Sequence, residues 1–284
     1  MTRRTIAKEI KAEGVALHAG RLVHMTLAPA PSGTGIVFRR SDLNGAEIAA
    51  RYDKVSETKL GTVISDATGA SVGVVEHLMS AVAGAEIDDL LATVDGPEPP
   101  IFAGDALSYL SLIERAGIVE TDGQKNAVRV LKPVEVASGE AAAALTPAPS
   151  LSFDFEISFS SPAIGDQEFS WEFSREGFAR DIAPARTFGF VRELEMLNKM
   201  NLALGASLDN TLAIEGDKVL NSKLMRFPDE FVRHKILDAL GDLALAGAPV
   251  IARFEGRRSG HALNNALLRA LFADAGNFEL VPVA

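Results

Sequence analysis

The sequence of 284 residues contains no cysteine, so it can form neither a disulfide nor a thiolate metal site. Histidine, aspartate and glutamate are therefore the side chains available to hold a metal ion. The formal net charge of −10 argues against a basic surface for nucleic acid or an anionic membrane. No segment has the apolar length of a membrane-spanning helix, and the basic start "MTRRTIAKEIKAEG" lacks the apolar core of a signal peptide. These absences predict a cytoplasmic enzyme with no nucleic-acid partner, no membrane span and no evident obligate protein partner.

Two short sequences occur twice in the chain, in the same order. Residues 27–32, "LAPAPS", return as "LTPAPS" at 145–150, and each copy precedes an alternating run typical of a strand. Residues 104–107, "GDAL", return as "GHAL" at 260–263, and each copy opens an apolar helical pattern. Such loops and helix starts are common by chance, but two repeats in one order favour an internal duplication.

The repeats predict an α+β fold with two similar β/α sandwich domains, residues 1–124 and 125–284. The domains would meet near the polar, glycine-containing segment "TDGQKN" at 121–126. The second half is longer between its repeated strand and its first helix, which indicates an insertion. Since the segment from "ARTFGF" to "NTLAI" has strand, helix and strand character, a β-α-β insertion is predicted around residues 187–211.

The segment "FVRHKILDALGD", residues 231–242, places His234, Asp238 and Asp242 at successive four-residue steps. In a helix these three share one face, and an apolar stripe covers the opposite face. A His–Asp pair at this spacing is often only an intrahelical contact, but it can also supply two ligands of a hydrolytic metal site. His77 is the candidate third ligand because Glu76 precedes it at a predicted helix start. Metallopeptidase helices similarly place a glutamate beside a histidine ligand, where it acts as the base.

His261 and Asp242 extend this group. His261 lies in "RRSGHALNN", after a strand-like run and a glycine-bearing turn, a usual position for an active-site residue and for a helix-capping loop alike. Asp242 could orient an imidazole and raise its basicity, or it could be a solvated carboxylate. Taken singly, each feature favours the structural interpretation, and only their combination indicates a functional site.

Four segments, "VEHLMSAVAG", "ARTFGFVRELE", "EFVRHKILDALGDL" and "SGHALNN", together resemble the UDP-3-O-acyl-N-acetylglucosamine deacetylase family, the zinc amidases that commit bacteria to lipid A synthesis. The opening "GVALHAGRLVHMTLAPAPSGTGIVFRR" resembles the same family, so the likeness spans about residues 5–280. The resemblance implies two similar α+β domains with insertions and an active site between them. It also implies an acylated UDP-N-acetylglucosamine as the small-molecule substrate.

The resemblance further implies a role for each candidate residue. Its metal ligands fall on His77, His234 and Asp238, which would hold one Zn²⁺ per chain, although Fe²⁺ suits the same ligands. The catalytic groups that it implies are the general base Glu76, His261 with its partner Asp242, and the oxyanion-binding Thr187.

Substrate contacts are implied in the same way. Lys235 matches a substrate-binding lysine, and Phe188 and Phe190 match residues that line the sugar and acyl region. The rest of the insertion, to about residue 211, would form an apolar passage for the fatty acyl chain. By their pattern alone, the two phenylalanines would be assigned to an ordinary core.

The chain departs from the usual residues of the family outside these positions. The departures lie at Val74, Asp89, Glu193 and residues 221–227. Because none is an implied metal ligand, they bear on acyl-chain length and sugar recognition rather than on the chemistry.

Two other functions fit the same residues. A zinc hydrolase of another N-acyl sugar or of a peptide amide would use the same centre, although a peptidase needs an open cleft. A non-catalytic sugar-nucleotide-binding module would hold structural zinc, whose fourth position a protein ligand should close. Glu76 and His261, both acid–base groups, favour a hydrolase.

Overall fold

The computed structural model describes residues 1–283. The elements of the first half are β1 (Thr2–Ile6), β2 (Ile10–Val15), β3 (Leu22–Pro29), β4 (Ile36–Arg40), β5 (Ala46–Ala49), β6 (Val55–Glu57), β7 (Val63–Ser65), β8 (Ser71–Val72), α1 (Glu76–Gly84), β9 (Leu90–Val94), α2 (Leu107–Ala116) and β10 (Ile118–Gln124). Those of the second half are β11 (Asn126–Val130), β12 (Val134–Ser138), β13 (Ala141–Thr146), β14 (Ser152–Ser158), β15 (Asp166–Glu172), α3 (Arg175–Gly177), β16 (Phe188–Phe190), α4 (Val191–Lys199), β17 (Leu212–Glu215), β18 (Lys218–Val219), α5 (Glu230–Ala244), β19 (Val250–Ile251), β20 (Arg253–Arg257), α6 (His261–Ala273) and β21 (Phe278–Pro282). None of the helices in residues 1–283 has the length and apolarity needed to cross a membrane.

Each half contains a five-stranded sheet, and the two sheets have the same topology. The strand order is β2-β3-β9-β4-β5 in the first and β12-β13-β20-β14-β15 in the second. The pairs β4–β9 and β14–β20 are parallel, and the other neighbours are antiparallel. The repeated Pro-Ala-Pro segments begin at the equivalent ends of β3 and β13. The predicted α+β fold is confirmed, and we propose that residues 1–124 and 125–284 are two domains related by duplication.

A small three-stranded sheet is inserted at the same place in each half, before the first long helix. It consists of β6-β7-β8 in the first half and β16-β17-β18 in the second. In the second half β16 and β17 run parallel and are connected through α4. The predicted β-α-β insertion is therefore confirmed, and the first half has a smaller counterpart that the sequence did not predict.

The segment 121–126 is not the polar linker that its composition predicts, so that prediction was wrong. Residues 121–124 belong to β10, which pairs antiparallel with β1, and Lys125 alone separates β10 from β11. Partly buried and exposed residues alternate along most of β10, so its polar side chains reach solvent from a two-stranded ribbon. Gly123 permits the close packing there, because a Cβ would lie 2.1 Å from the Ser32 hydroxyl oxygen.

Helix α1 of the first half packs directly against α5 of the second. Gly241 permits this contact, because a Cβ at that position would lie 2.0 Å from the carbonyl oxygen of Glu76. The apolar face of α5 is buried as predicted, and its polar face is buried as well, since His234, Asp238 and Asp242 are at most 3% exposed. The close approach sets the start of α1 beside the polar face of α5.

Candidate metal centre and active site

Three side chains from the two packed helices converge on one point. His77 lies at the start of α1, and His234 and Asp238 lie one turn apart on α5. One ligand atom from each lies within 4.8 Å of the others. Asp238 Oδ1 is 3.3 Å from His234 Nε2 and 3.7 Å from His77 Nε2. Within residues 1–283 this buried oxygen accepts no hydrogen bond, so its lone pairs are available to a metal ion. The two imidazoles and the carboxylate are donor groups that fit such an ion.

The two imidazoles are in the state that metal ligation needs. His234 Nδ1 donates to the carbonyl oxygen of Ala185 over 3.1 Å, which leaves the lone pair on Nε2 facing the cluster. Burial, together with the charge of His234, lowers the pKa of His77 to about 3. Burial also lowers the pKa of His234, although the Asp238 charge opposes it. Both rings are therefore neutral near pH 7 and can act as ligands.

Lys235 holds the second oxygen of the carboxylate ligand. Its Nζ donates to Asp238 Oδ2 over 2.7 Å. Burial alone would lower the pKa of Lys235, but the charge and hydrogen bond of Asp238, together with the charges of Asp242 and Glu76, raise it. Burial would raise the pKa of Asp238, but its electrostatic interactions with His234 and Lys235 hold it well below its usual range. Asp238 therefore stays ionised, with Oδ1 directed at the cluster.

Glu76 is buried beside the cluster. Its Oε2 accepts the backbone N–H of Thr62 over 2.9 Å, and its Oε1 lies 3.8 Å from His261 Nε2. Burial raises the pKa of Glu76 to about 7, with the Asp238 charge adding to the rise and His261 opposing it. A carboxylate with such a pKa is suited to accepting a proton near neutral pH.

His261, the first residue of α6, forms a pair with Asp242. His261 Nδ1 and Asp242 Oδ2 are 2.8 Å apart. Burial would lower the pKa of His261, but the charges of Asp242 and Glu76 raise it to about 9. Two further donors hold Asp242, the Thr62 hydroxyl at 2.6 Å and the Asn264 amide at 2.9 Å. The imidazole is therefore protonated at neutral pH and directs Nε2 toward Glu76.

These groups line a cavity of about 530 Å³ that adjoins an apolar groove of about 460 Å³. Thr187 and Phe188 line both, Lys235 lines only the cavity, and Phe190 lines only the groove. The groove is built largely from the insertion, between β16, α4 and the segment that leads to β17. Asp242 does not line the cavity, and it reaches the site through His261. The structure thus brings the candidate catalytic, metal-binding and substrate-binding residues together, with Asp242 just behind the cavity wall.

Thr187 is held in place by its backbone. Its N–H donates to the carbonyl oxygen of Gly104 over 2.8 Å. The preceding Arg186 forms a buried ion pair with Glu230, the first residue of α5, at 2.9 Å. Gly104 has φ 78°, and a Cβ there would lie 1.8 Å from the carbonyl oxygen of Asn210, so only glycine suits this position. Thr187, just before β16, is therefore tied to α5 and to the first half.

The repeated helix start has different uses in the two halves. Asp105 occupies the position equivalent to His261, and its carboxylate accepts the backbone N–H of Ser108 over 3.0 Å at the start of α2. The same carboxylate pairs with Arg226 of the second half. One copy therefore caps a helix and joins the halves, and the other presents an imidazole to the site.

The departures from the usual family residues lie at different distances from this site. Val74 lines the cavity with φ 53°, a left-handed conformation that is strained for a β-branched residue. Glu193 lines the groove. Asp89 lies elsewhere, fully buried in an ion pair with Arg3, and Asn221 bonds the backbone of the insertion.

Among the side chains that bond Asp242, those of Thr62 and Asn264 were not predicted. Asn264 is three residues after His261 on α6, so helical spacing could have placed it on the same face. Thr62 lies in "KLGTV", where no local pattern distinguishes it, and only the packing of the two halves brings it to Asp242.

Comparison with known proteins is consistent with this arrangement. The profile of the family described as UDP-3-O-acyl N-acetylglycosamine deacetylase matches residues 3–273. The chain is 42% identical over 283 residues to the UDP-3-O-acyl-N-acetylglucosamine deacetylase of Campylobacter hominis, covering 100% of this chain and 96% of the relative. It is 44% identical over 275 residues to that of Phenylobacterium zucineum, covering 96% and 94%. It is 46% identical over 282 residues to that of Stenotrophomonas maltophilia, covering 98% and 93%.

Proposed function

Because the chain belongs to the UDP-3-O-acyl N-acetylglycosamine deacetylase family, we propose a mechanism in which its own side chains carry out the family reaction. The enzyme removes the N-acetyl group of UDP-3-O-acyl-N-acetylglucosamine in lipid A biosynthesis, releasing acetate and a free amine. The observation that supports the mechanism is the His-His-Asp cluster beside a buried glutamate and a His–Asp pair. We also propose that the enzyme acts in the cytoplasm, where nucleotide sugars are made.

We propose Zn²⁺, one ion per chain, as the metal held by His77, His234 and Asp238. Two imidazoles and one carboxylate are a typical ligand set for catalytic zinc, which keeps a further position open. Fe²⁺ suits the same ligands, so metal analysis of protein purified from cells would distinguish the two ions. When bound, the ion would lower the pKa of a water molecule to about 7 and polarise the acetyl carbonyl.

Glu76 is the proposed general base. Its pKa of about 7 lets a large fraction of the carboxylate accept a proton from the attacking water near neutral pH. The Thr62 N–H holds Oε2, which leaves Oε1 free to face the cavity. Glu76 is thus oriented before the substrate arrives.

His261 is the proposed general acid. Held protonated by Asp242, it can stabilise the negative charge on the acetyl oxygen and then donate a proton to the departing amine nitrogen. Thr187 lines the same cavity, and its hydroxyl is the proposed second donor to that oxygen. Lys235 keeps Asp238 charged, and we propose that it also binds substrate from the cavity wall.

The pH dependence tests the acid–base pair. In this mechanism kcat/KM requires Glu76 deprotonated and His261 protonated, so the profile is bell-shaped, with His261 on the basic limb. Asp242→Asn removes the negative charge that raises the pKa of His261, so the basic limb should move to lower pH. We expect kcat to fall about 10- to 100-fold. Measuring kcat/KM against pH for both enzymes checks the shift.

A matched control is available on the protein surface. Asp95 and His24 form a second aspartate–histidine pair, 2.7 Å apart and exposed. Asp95→Asn should leave the whole profile unchanged. A basic limb that does not move in Asp242→Asn would exclude His261 as the acid that Asp242 supports.

We propose that the apolar groove binds the 3-O-acyl chain, with Phe188 and Phe190 at the sugar and acyl region. Each buried methylene is worth about 0.8 kcal/mol. Burial of only about four would make the acylated nucleotide sugar better by about 3 kcal/mol, or about 200-fold in kcat/KM. Mass spectrometry of acetate released from the acylated and non-acylated nucleotide sugars, with an acetylated peptide library alongside, measures this preference. Equal kcat/KM on the two sugars would contradict the acyl assignment, and acetate from the peptides would contradict the substrate class.

Helix α4 offers a matched pair of variants for the same assay. Leu197 lines the groove, whereas Met196 points to solvent and is 57% exposed. Leu197→Gln should lower kcat/KM about tenfold for the acylated substrate alone, since a buried amide loses hydrogen bonds to water. Met196→Gln should leave kcat/KM unchanged for both substrates.

A further inference from the structure

Thr62 is the only residue among the described ones that bonds both proposed catalytic carboxylates. It is 1% exposed and lies just before β7 in the first half. Its backbone N–H donates to Glu76 Oε2 over 2.9 Å, and its hydroxyl donates to Asp242 Oδ1 over 2.6 Å. We propose that Thr62 is a positioning residue for deacetylation, whose hydroxyl fixes Asp242, and through it His261, relative to Glu76.

The Thr62 hydroxyl fixes the orientation of the Asp242 carboxylate, which the other donors to Asp242 cannot do by themselves. His261 and Asn264 both bond Oδ2, while Thr62 is the only described residue that bonds Oδ1. The terminal torsion of an aspartate is soft, so a carboxylate held through one oxygen can rotate. Without the Thr62 hydroxyl, Oδ1 would be buried without a partner, and the carboxylate would turn to find one. That rotation would move Oδ2 from the line of His261 Nδ1.

The position of Thr62 is itself fixed to α1. Its carbonyl oxygen accepts the N–H of Val75 at the start of that helix, over 3.2 Å. The preceding Gly61 has φ 148°, and a Cβ there would lie 3.1 Å from Glu76 Oε1. The backbone of Thr62 is thus clamped to the helix that carries the base, and its side chain reaches α5 of the second half. The hydroxyl therefore links the position of α1 to that of Asp242 on α5 and, through Asp242, to that of the proposed acid His261.

A second buried threonine shows what a purely structural hydroxyl looks like in this chain. Thr5 is 4% exposed, and its hydroxyl donates over 2.6 Å to the carbonyl oxygen of Asp89. The bond has the same length and similar burial, but its acceptor is backbone and lies outside the site. Thr5→Val is therefore the matched control for the loss of a buried hydroxyl.

This inference rests on the proposed roles of Glu76 and Asp242. We expect Thr62→Val to lower kcat about 10- to 100-fold, the range typical of supporting groups around a metal site, with KM and metal content unchanged. Thr62→Ser, which keeps the hydroxyl, should restore kcat to within about threefold of the parent. Thr5→Val should lower the Tm as Thr62→Val does and leave kcat unchanged. If Thr62→Val does not fold, Thr62→Ala tests the same loss with a smaller side chain.

A double mutant with Asp242→Asn distinguishes a positioning role of Thr62 from a general loss of stability. Thr62→Val should lower kcat little further in an Asp242→Asn background, because residues that act as a unit are not additive. Additive losses, failure of Thr62→Ser to restore kcat, or a Thr62→Val enzyme within about threefold of the parent would each overturn the inference. Full activity in Asp242→Asn and Glu76→Gln would instead overturn the proposed catalytic roles.

Discussion

His77→Ala should lose the metal ion and lower kcat/KM by at least about 1,000-fold. A catalytic metal ion contributes several kcal/mol, and each 1.4 kcal/mol or so is about tenfold in rate. His77 is a clean choice because, within residues 1–283, its Nδ1 makes no hydrogen bond, so the substitution breaks no protein bond at that nitrogen. Asp238→Ala should also lose the metal, but it leaves the partly buried Lys235 without its partner, which adds a folding penalty.

Metal content and activity are measured together by elemental analysis and acetate release, after metal removal and zinc addition. His24→Ala is the control, because that side chain is exposed and pairs with Asp95 outside the site. The control should retain both metal and activity. A full equivalent of tightly bound zinc in His77→Ala would show that His77 is not a ligand.

Local pattern predicted much of the fold because the two halves build the same sheet topology from similar segments. The Pro-Ala-Pro segments and the Gly-x-Ala-Leu starts recur at equivalent strand ends and helix starts. The pairing of β10 with β1 joins residues more than a hundred positions apart, and nothing local in "TDGQKN" distinguishes a solvated ribbon strand from a turn. Composition therefore placed a linker where the structure has a strand.

The candidate site, too, was predicted from the sequence only in part. Helical spacing placed His234, Asp238 and Asp242 on one face, and the structure has them there. The meeting of this face with the start of α1 depends on Gly241, which lets the two helices approach, and no spacing rule contains that contact. Burial raises the pKa of Glu76, and the charges of Asp242 and Glu76 raise that of His261. Both shifts follow only once both halves are folded together.

Glu76→Gln should keep the metal and lower kcat about 100- to 10,000-fold, the usual contribution of a general base. The amide oxygen of glutamine can still accept the Thr62 N–H, so the loop and helix start should stay in place, while the amide cannot take a proton. The acidic limb of the pH profile should disappear with the base. Steady-state kinetics across pH, with metal analysis of the same preparation, measures all three effects.

Stability shows whether a loss in Glu76→Gln is chemical. Because burial raises the pKa of Glu76 to about 7, ionising it above that pH opposes folding of the metal-free protein. The neutral glutamine lacks this cost, so the Tm of the metal-free variant should equal or exceed that of the parent. Glu86, beyond the other end of α1 and paired with Arg4 at 2.7 Å, supplies the control, and Glu86→Gln should keep full kcat. If Glu76→Gln kept kcat within about threefold of the parent while retaining its metal, proton transfer would have to be assigned to another group. His261, 3.8 Å from Glu76, would then be the one to test.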